Sequence, residues 1–599
     1  MFDDVPGIVN NPSIQSLWPP ARWLAAPPAS TPSGRPILNL SLALNYAMGG
    51  LDVTGYHVVS LLVHLAAGLA LFGVARRTLL SDRLRANVAT AASPLAFAIA
   101  IVWIAHPLNT ESVTYVVQRG ESLAGLFLLL TLYCAIRGWT APAVAACALG
   151  MGSKETMVVA PALVALWDHT FRLDGARRWR LYAALAATVA IVLLPMVLSE
   201  TQGRTAVSRL LGQTARAPGD DWTPWSYLWT QAGVIVRYVM LAFKPWPLAF
   251  DYYDWRPARS PLDVLPQALL LVTLLAAAIA AIVRRNPLGF VGAWFFLTLA
   301  PTSSLLPIPT EIAAEHRMYV PLAAIVALTI VAMFLALRAF AFREPAGPRP
   351  GRYVACGAIV MALGLAWATR DRNRDYVSAA ALWGDTVEKR PGNARARINY
   401  GIELMGAGQY AQAEAQMRAA LPLEMDPETR AQAHLQLGSA LSAQGRLDEG
   451  LRSIERALQI DPAMQDADAI LGQAYAEQGK DALAVRHFLR AIDHRPDLPL
   501  LLTRAAWLLA TSRDPAVRDG ARAAVLAERA IALTSSQDPV AYENAAAAYA
   551  ELGRRADAVT AIDRALGLAR AKGDTQSSAQ YERLRAFYAA GGRVATANR

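Results

Sequence analysis

Repeated apolar runs separated by arginine-rich patches fill the sequence up to about Thr369 and constrain its fold more than any other feature. With 54% hydrophobic and 17% charged residues, the chain is more apolar than ordinary soluble proteins. A run of roughly twenty apolar residues predicts a helix that crosses the hydrocarbon core of a bilayer. The runs are 57–75, 90–105, 121–137, 140–151, 156–167, 181–198, 228–247, 263–283, 287–304, 319–340 and 353–369. The first part of the chain is therefore predicted to be a multi-span, all-α membrane domain.

The arginine patches predict how this domain is oriented, because cationic loops are retained in the cytoplasm. Patches follow the runs that end near residues 75, 167 and 283, and a fourth precedes the last run. If all four are cytoplasmic, neighbouring patches must be separated by an even number of crossings, yet three runs lie between 181 and 283. The run 228–247 carries Arg237 at its middle, where a charge in lipid is costly. We therefore predict that 228–247 is re-entrant or interfacial, that about ten runs cross, and that both chain ends are non-cytoplasmic.

The charge and the cysteines of the chain argue against two other classes of protein. The formal net charge is +10, but the arginines lie at the ends of apolar runs, so retention of loops explains them better than nucleic-acid binding. Cys134, Cys147 and Cys356 all lie inside apolar runs, where they are best explained as small packing residues. We therefore expect no nucleic-acid partner, no disulfide framework and no metal-ligand spacing.

The first 56 residues contain too many prolines and glycines to form a span. Within them, residues 36–48 predict one short amphipathic helix that lies along the membrane interface. The adjacent carboxylates of Asp3 and Asp4 come before it, and no signal peptide precedes them. Because the first span is expected only near His57, translocation of this segment suggests that the natural protein begins upstream with one more helix.

From about Pro391 onward the sequence repeats with a period of about 34 residues. Small and large residues recur at the spacing of helix pairs. Leu437-Gly438, Leu441, Ile454, Ala457 and Pro462 correspond to Leu471-Gly472, Tyr475, Phe488, Ala491 and Pro496. This is the tetratricopeptide pattern, in which each helix hairpin buries its apolar face by stacking on its neighbours. About five repeats are predicted, forming an α-solenoid whose concave groove suits a polypeptide.

Five polar clusters lie in or beside the loops that the arginine patches assign to the non-cytoplasmic side. They are Asp3-Asp4; His106 to Glu111 with Tyr115, Arg119 and Glu121; Ser153 to Thr156; Asp251-Tyr252; and Glu315-His316-Arg317 with Tyr319. Simpler explanations exist for three of them: His106 as a helix-end cap and Arg119 with Glu121 as an interfacial ion pair, Lys154 in a turn, and the N-terminal carboxylates as a solvated tail. Ionisable groups near a bilayer are costly, so their gathering on one face favours a single site.

These clusters, read together with their neighbours, resemble a known family. The motifs are Phe2-Asp3-Asp4 with Ile8 and Asn11; Gly34-Arg35-Pro36; Leu42 to Tyr46; Gly49 to Asp52; Gly55-Tyr56-His57; His106-Pro107 to Glu111; Arg119; Ser153-Lys154-Glu155; and Glu315 to Tyr319. In this order, and followed by tetratricopeptide repeats, they resemble the TMTC (transmembrane and tetratricopeptide repeat containing) family and its bacterial relatives. The family has a helix before the Asp-Asp motif that this sequence lacks.

The resemblance implies a class C glycosyltransferase fold and its chemistry. Such enzymes move a sugar, mannose above all, from a polyprenyl-phosphate carrier to Ser or Thr of proteins, with inversion, outside the cytoplasm. By this resemblance Asp3 or Asp4 is the catalytic base. The available partners for the donor phosphate are Arg119, Lys154, His316 and Arg317, and the supporting residues are His106, Glu111, Glu121, Glu155, Glu315 and Tyr319. A divalent metal is compatible with these carboxylates but is not implied by them.

The expected organisation has five parts. They are an outer segment at 1–56, a transmembrane glycosyltransferase domain at 57–370, a linker at 371–390, the repeats at 391–575 and a tail at 576–599. For a bacterial relative, the expected location is the inner membrane, with the site and the repeats on the periplasmic face. Two other functions remain open: a ligase that transfers a whole lipid-linked oligosaccharide, and a membrane-anchored repeat scaffold without catalysis.

Overall fold

The computed structural model describes residues 4–24, 26–27, 30–173, 177–198, 223–303, 308, 311–340 and 350–594. The chain divides into two compact units, Met1–Glu403 and Leu404–Arg599. Every regular element in the described residues is a helix, and none of these residues forms a strand. The predicted all-α fold is therefore confirmed.

The first unit is a helical domain with short connections. Its main helices are α1 (Pro36–Gly49), α2 (Val53–Leu79), α3 (Ala92–Ala105), α4 (Arg119–Ile136), α5 (Thr140–Met151), α6 (Ala160–Phe171), α7 (Trp179–Leu198), α8 (Pro224–Phe243), α9 (Leu265–Val283), α10 (Pro287–Ser303), α11 (Leu322–Phe340), α12 (Pro350–Asn373) and α13 (Ala379–Lys389). Short helical turns at Pro107–Asn109, Thr110–Thr114, Glu155–Val159 and Glu315–Met318 connect or precede several of them. The predicted helix at 36–48 and the two short helices near 140 and 160 are confirmed.

Among the residues that the structure describes, five helices are long and apolar enough to cross a membrane, or six if a bent pair counts as one span. They are Val53–Leu79, Val116–Ile136, Pro261–Val283, Leu322–Ala339 and Pro350–Tyr376, with Ala89–Ala105 and Pro107–Thr114 as the bent pair. Thr140–Met151, Trp179–Val192 and Pro287–Ser303 are shorter apolar helices of the same unit. Together these elements make the chain a multi-pass membrane protein, whereas the expected number of about ten crossings stays a prediction. The helix Pro224–Phe243, expected to be re-entrant or interfacial, is not among those long and apolar enough to cross.

Close helix packing holds the backbone around Tyr319 in place, next to the turn Glu315–Met318 that carries polar site residues. Gly125 on α4 faces Tyr319, and a Cβ at this position would come within 2.6 Å of the Tyr319 ring. Tyr319 also packs edge-on against Trp103, and the indole N–H of Trp103 donates to the Tyr319 carbonyl at 2.9 Å. Small residues let membrane helices approach closely where apolar burial gives no driving force. The backbone just after Glu315–Met318 is therefore held against α3 and α4.

A further series of helices begins at Ala394, just before the second unit, and runs through that unit to Ala589. They are α14 (Ala394–Gly406), α15 (Tyr410–Ala420), α16 (Pro427–Ala443), α17 (Leu447–Ile460), α18 (Gln465–Glu477), α19 (Asp481–His494), α20 (Pro499–Thr511), α21 (Gly520–Leu533), α22 (Pro539–Glu551), α23 (Arg555–Ala571) and α24 (Thr575–Ala589). From α16 to α23 the helices pack as successive antiparallel pairs around one alanine-rich core. Helices lie in both segments that were expected as linker and tail: α13 lies within 371–390, and α24 runs from Thr575 through most of the tail.

We predict that one glycine of the solenoid is required for the contact inside a helix pair. A Cβ on Gly438 would lie 2.4 Å from Ile454 Cγ1 and 2.6 Å from the Gly450 carbonyl. Gly438→Ala should therefore lower the free energy of unfolding of the repeat unit by about 1–3 kcal/mol through overpacking. Native-state hydrogen exchange of the full chain measures this at α16 and α17.

Gly567→Ala is the matched control, because the position is also helical and a Cβ there meets nothing within 4 Å. It should leave the repeat unit unchanged or more stable by up to about 1 kcal/mol, as expected for glycine replaced inside a helix. Equal exchange in both variants would show that α16 and α17 do not approach as closely as described.

Candidate active site

A buried carboxylate–histidine pair joins two loops of the first unit. The Glu111 Oε2 atom accepts a hydrogen bond from the His316 backbone N–H at 3.0 Å, and Glu111 Oε1 lies 2.8 Å from His316 Nδ1. Both side chains are almost fully buried, at 4% and 3% exposed. Glu111 lies in the short helix that follows the bend after α3, and His316 in the turn before α11. Two polar clusters that are distant in sequence are thus brought into contact.

A second ion pair lies beside the histidine. Lys154 Nζ is 2.6 Å from Glu121 Oε1, and both side chains are less than one-tenth exposed. The same Glu121 oxygen lies 3.9 Å from His316 Nε2, and Glu311 Oε1 lies 3.8 Å from that nitrogen. We call Glu111, Glu121, Lys154, Glu311, His316 and Arg317 the central cluster. Four elements supply it: α4, the turn after α5, the short helix at 110–114 and the 311–317 segment.

The charges of the cluster support one another. Burial opposes protonation of His316, but the carboxylates of Glu111 and Glu311 outweigh it and raise the pKa of His316 above its ordinary value. Arg317 Nη2 donates to the Glu311 carbonyl at 2.5 Å and lies 3.4 Å from the Glu311 Oε2 atom. A charge that is this deeply buried is costly unless it is paired and hydrogen-bonded. The cluster is therefore a network in which each member stabilises the charged form of another.

A cavity adjoins the cluster and has both polar and apolar walls. Its polar lining comes from Glu121, Thr156, Thr298, Thr302 and Arg317. Its apolar lining comes from Ala124, Gly125, Leu128, Met157, Val159, Val320 and Pro321. The cavity has room for about one water molecule, so its lining identifies the side chains that adjoin the cluster and not the size of a ligand.

Glu155, predicted as a supporting residue, pairs with an arginine to which the sequence gave no role. Arg35 Nε and Nη2 donate to Glu155 Oε2 and Oε1 at 3.1 and 2.8 Å. Although burial acts in the opposite direction, Arg35 and Lys154 lower the pKa of Glu155 to about 2. Nearby, the backbone N–H of Ile37 donates to the Gly152 carbonyl at 2.8 Å. The start of α1 is thereby fixed to the turn that carries Lys154.

Glu315 and Tyr319 lie in the same segment but contact other partners. Glu315 Oε1 accepts from the Ala249 N–H and the Tyr252 hydroxyl, both at 2.7 Å, and Oε2 lies 3.7 Å from Arg372. Burial raises the pKa of Glu315 to about 7 against the opposing charge of Arg372. The Tyr319 hydroxyl lies 2.9 Å from His64 Nδ1. The structure thus uses both residues to hold the 315–319 segment in place.

Arg119 is completely buried and holds α1 and α2 rather than a carboxylate of the central cluster. Its guanidinium donates to Asn45 Oδ1 at 2.6 Å, to the Tyr56 carbonyl at 2.8 Å and to Ser60 Oγ at 3.0 Å. His106 likewise has both ring nitrogens engaged, with Nε2 3.1 Å from the Ala242 carbonyl and Nδ1 accepting from the Leu108 N–H at 3.2 Å. The contacts of His106 favour the helix-end cap among its alternatives.

The predicted base is described only in part. Asp4 Oδ1 accepts from the Val117 N–H at 3.0 Å, so this carboxylate is fixed to the turn that precedes Arg119. Asp3 lies outside the described residues. The structure therefore places Asp4 against the loop that leads into α4, the helix that carries Glu121.

Sequence reasoning missed two residues of the site, Glu311 and Arg35. Arg35 stood inside the Gly34-Arg35-Pro36 motif, and Glu311 lies four residues before the Glu315 cluster within the same predicted outer loop. Position in an outer loop was the available signal for both. Glu111, Glu311 and His316 are also the described residues whose ligand atoms are grouped closely enough to hold a metal ion.

The chain is similar in sequence to known proteins in both of its units. A family model described as "Tetratricopeptide repeat" matches residues 431–464, the span of α16 and α17. Protein O-mannosyl-transferase TMTC2 of Mus musculus is 33% identical over 147 residues, 23% of this chain and 16% of that protein. Protein O-mannosyl-transferase TMTC1 of Homo sapiens is 23% identical over 489 residues, 71% of this chain and 52% of that protein. The chain thus spans about half the length of the second relative and less of the first.

A solved structure is also similar to part of the chain. It is described as "YrrB: a TPR protein with an unusual peptide-binding site", and it covers 34% of this chain and 100% of its own at 20% identity and a TM-score of 0.30. The resemblance to the TMTC family and the tetratricopeptide solenoid are both confirmed by the relatives and the matched repeat.

We predict that the Arg35–Glu155 pair stabilises the first unit in a pH-dependent way. Because the pKa of Glu155 is lowered in the folded chain, its contribution should be present above about pH 4.5 and lost as the pH falls towards 2. Glu155→Gln should remove about 1 kcal/mol at neutral pH, since partial exposure screens the pair. Thermal unfolding of the wild type and this variant between pH 2 and 7 tests it.

A double-mutant cycle separates the pair from its surroundings. Arg35→Gln and the double variant should give a coupling of about 1 kcal/mol at neutral pH that weakens below about pH 4.5 and is lost near pH 2. Additive losses at neutral pH would show that the two side chains do not stabilise each other.

Proposed function

We propose that this TMTC-like chain is a glycosyltransferase that moves a hexose from a polyprenyl-phosphate carrier to Ser or Thr hydroxyls of polypeptides. Mannose is the preferred hexose, because the similar proteins are named protein O-mannosyl-transferases. The observation that carries the proposal is the central cluster: a multi-pass membrane unit keeps three carboxylates and two basic side chains packed together around one histidine. Such a cluster has a high cost in a protein that performs no chemistry.

The reaction requires stabilisation of a leaving phosphate. As the acceptor hydroxyl oxygen attacks the anomeric carbon, the bond from that carbon to the phosphate oxygen breaks and negative charge develops on the phosphate. Lys154, Arg317 and protonated His316 all pair with carboxylates of the central cluster, so these three donors supply that stabilisation. Glu111 and Glu121 orient His316 and Lys154.

The acceptor proton must leave as the new glycosidic bond forms. A carboxylate within reach of the hydroxyl serves as the base, and attack from the face opposite the phosphate inverts the anomeric centre. Asp4 or Asp3 fills this role, and the contact of Asp4 with the Val117 N–H supports it by fixing the carboxylate next to α4. Arg119 acts indirectly. Its hydrogen bonds to α1 and α2 hold these helices next to the turn that Asp4 contacts.

The remaining parts of the chain suit a protein acceptor. The tetratricopeptide unit would bind the acceptor polypeptide, and the site would face the periplasm of a bacterium, as the arginine patches predict. A ligase for whole lipid-linked oligosaccharides would use the same phosphate chemistry, with a larger donor. A repeat scaffold without catalysis would leave the central cluster unexplained.

We predict that transfer depends on two side chains of different role. The full-length protein, reconstituted in vesicles with polyprenyl-phosphate mannose, should place mannose on peptides that the repeats bind, as detected by mass spectrometry. Lys154→Gln should lower the rate at least about 100-fold by removing a phosphate donor. Asp4→Asn should lower it by about 100-fold or more if Asp4 is the base.

Asp371→Asn is the matched control, because Asp371 is about half exposed and pairs only at the surface with Arg374. Its transfer rate should stay within about twofold of the wild type. Transfer that survives both Asp3→Asn and Asp4→Asn would overturn the base, and transfer that survives Lys154→Gln would overturn the phosphate site. Repeat-bound peptides that never acquire sugar would favour the scaffold.

A further inference from the structure

A buried arginine–carboxylate pair fixes the loop after α8 to the first turn of α14. Asp251 is only 8% exposed, and its Oδ2 atom accepts hydrogen bonds from Arg395 Nε at 3.1 Å and from Asn393 Nδ2 at 3.0 Å. Arg395 Nη2 donates to the other carboxylate oxygen, Oδ1, so the pair is bidentate. Two parallel hydrogen bonds of this kind fix the relative orientation of both side chains. The loop and the start of α14, which are 144 residues apart in the chain, are therefore held in one geometry.

Ring contacts hold the same loop to the residues at and just before the start of α14. The Arg395 guanidinium lies 4.7 Å from the ring centre of Tyr253, and the Arg390 guanidinium lies 4.6 Å from that of Tyr252. Arg390 Nε also donates to Asp254 Oδ1 at 2.7 Å. A cation over an aromatic face adds to the ion pairs, and more so where water is excluded. The position of the loop 251–254 thus depends on the segment 390–395.

The same loop also holds Glu315, the residue next to His316. The Tyr252 hydroxyl and the Ala249 N–H both donate to Glu315 Oε1 at 2.7 Å, and Glu315 is 1% exposed. Asp251 and Tyr252 are neighbours in the chain, so a single peptide unit separates the contact with α14 from the contact with Glu315. A shift of Asp251 therefore reaches the turn that carries His316.

The charge of Arg395 also acts on the central cluster. Although burial acts in the opposite direction, neighbouring cations lower the pKa of Glu311 below its ordinary value; they are His316, Arg317, Lys154 and Arg395. Arg395 therefore lies close enough to the cluster for its charge to be felt there, in agreement with the contacts of the loop.

We propose that Arg395 and Asp251 are positioning residues for the transfer reaction, and this inference rests on the proposed function. The pair keeps Tyr252 and Ala249 against Glu315, and Glu315 in turn keeps its neighbour in the central cluster oriented towards the leaving phosphate. Positioning of this kind has a large effect on rate, because a displacement of about 1 Å can cost about 100-fold.

The proposal gives α14 a second role. Arg395 stands in the first turn of this helix, from which the helical series continues into the repeats. The start of α14 is then required for the geometry of the central cluster, in addition to any part that the repeats play in binding an acceptor.

Steady-state transfer by the full-length protein, with polyprenyl-phosphate mannose and a repeat-bound peptide, tests this role. Arg395→Gln should lower kcat about 10-fold to 100-fold and leave KM for the donor within about twofold, because the phosphate donors remain but are less well oriented. Tyr252→Phe removes only the hydroxyl that contacts Glu315 and should lower kcat in the same way. Arg395→Lys retains the charge and should recover part of the loss. Asp251→Asn combined with Arg395→Gln should be no slower than the slower single variant, since both act through one contact.

Hydrogen exchange of the full-length protein without substrate measures the link itself. The backbone amides of 315–319 should exchange about tenfold faster in Arg395→Gln than in the wild type, because local opening of that turn becomes easier. Arg374→Gln is the matched control, since this arginine is 72% exposed and pairs at the surface with Asp371. It should leave both the exchange and kcat unchanged.

The outcomes separate this inference from the proposed function. Wild-type transfer together with unchanged kcat in Arg395→Gln and Tyr252→Phe would overturn the positioning role and leave the transferase standing. Unchanged exchange at 315–319, or additive losses in the double variant, would overturn the path through the loop. If Arg395→Gln does not fold, Tyr252→Phe decides the matter. A wild type that transfers no sugar would overturn the proposed function and the positioning role with it.

Discussion

The buried contact between Glu111 and His316 is the interaction on which the first unit most depends. It joins segments 205 residues apart and uses both carboxylate oxygens and both the backbone and the ring of the histidine. Removing one partner of such a pair leaves an unpaired buried polar or charged group, at a cost of about 3–5 kcal/mol. The rest of the central cluster is built around this pair, because Glu121, Glu311 and Lys154 all approach the same ring or its neighbours.

Other buried polar groups around the cluster are also paired with partners from distant segments. Arg119 satisfies oxygen atoms of α1 and α2, Glu315 bridges Tyr252 and Arg372, and Asp251 binds Asn393 and Arg395. Each of these groups is buried and paired, and each holds a loop that leads to the cluster. The polar residues of the outer loops thus form two groups. A few of them contact one another around His316, and a larger number hold the backbone of the loops that carry those few.

Sequence reasoning predicts helices better than it predicts this division of roles. Apolar runs gave the helix positions because burial in lipid requires a continuous apolar stretch, and the 34-residue period gave the solenoid because each helix pair must repeat the same contacts. Arginine patches assign a loop to a side of the membrane but carry no distances. For this reason Lys154 and His316 were grouped with Arg119, whose guanidinium serves α1 and α2, while Glu311 and Arg35 received no role. The role of a polar side chain in a loop depends on partners from other parts of the chain, which the sequence pattern does not reveal.

Charge balance defines the role of His316. A phosphodiester donor that enters the central cluster adds one negative charge to a set in which three carboxylates already face two permanent cations. Buried charge of this kind must be compensated, and a proton on His316 supplies part of that compensation. The carboxylates of Glu111 and Glu311 favour this proton, since they raise the pKa of His316. By holding Nδ1, Glu111 also directs Nε2 towards Glu121 and Glu311, where the positive charge is required.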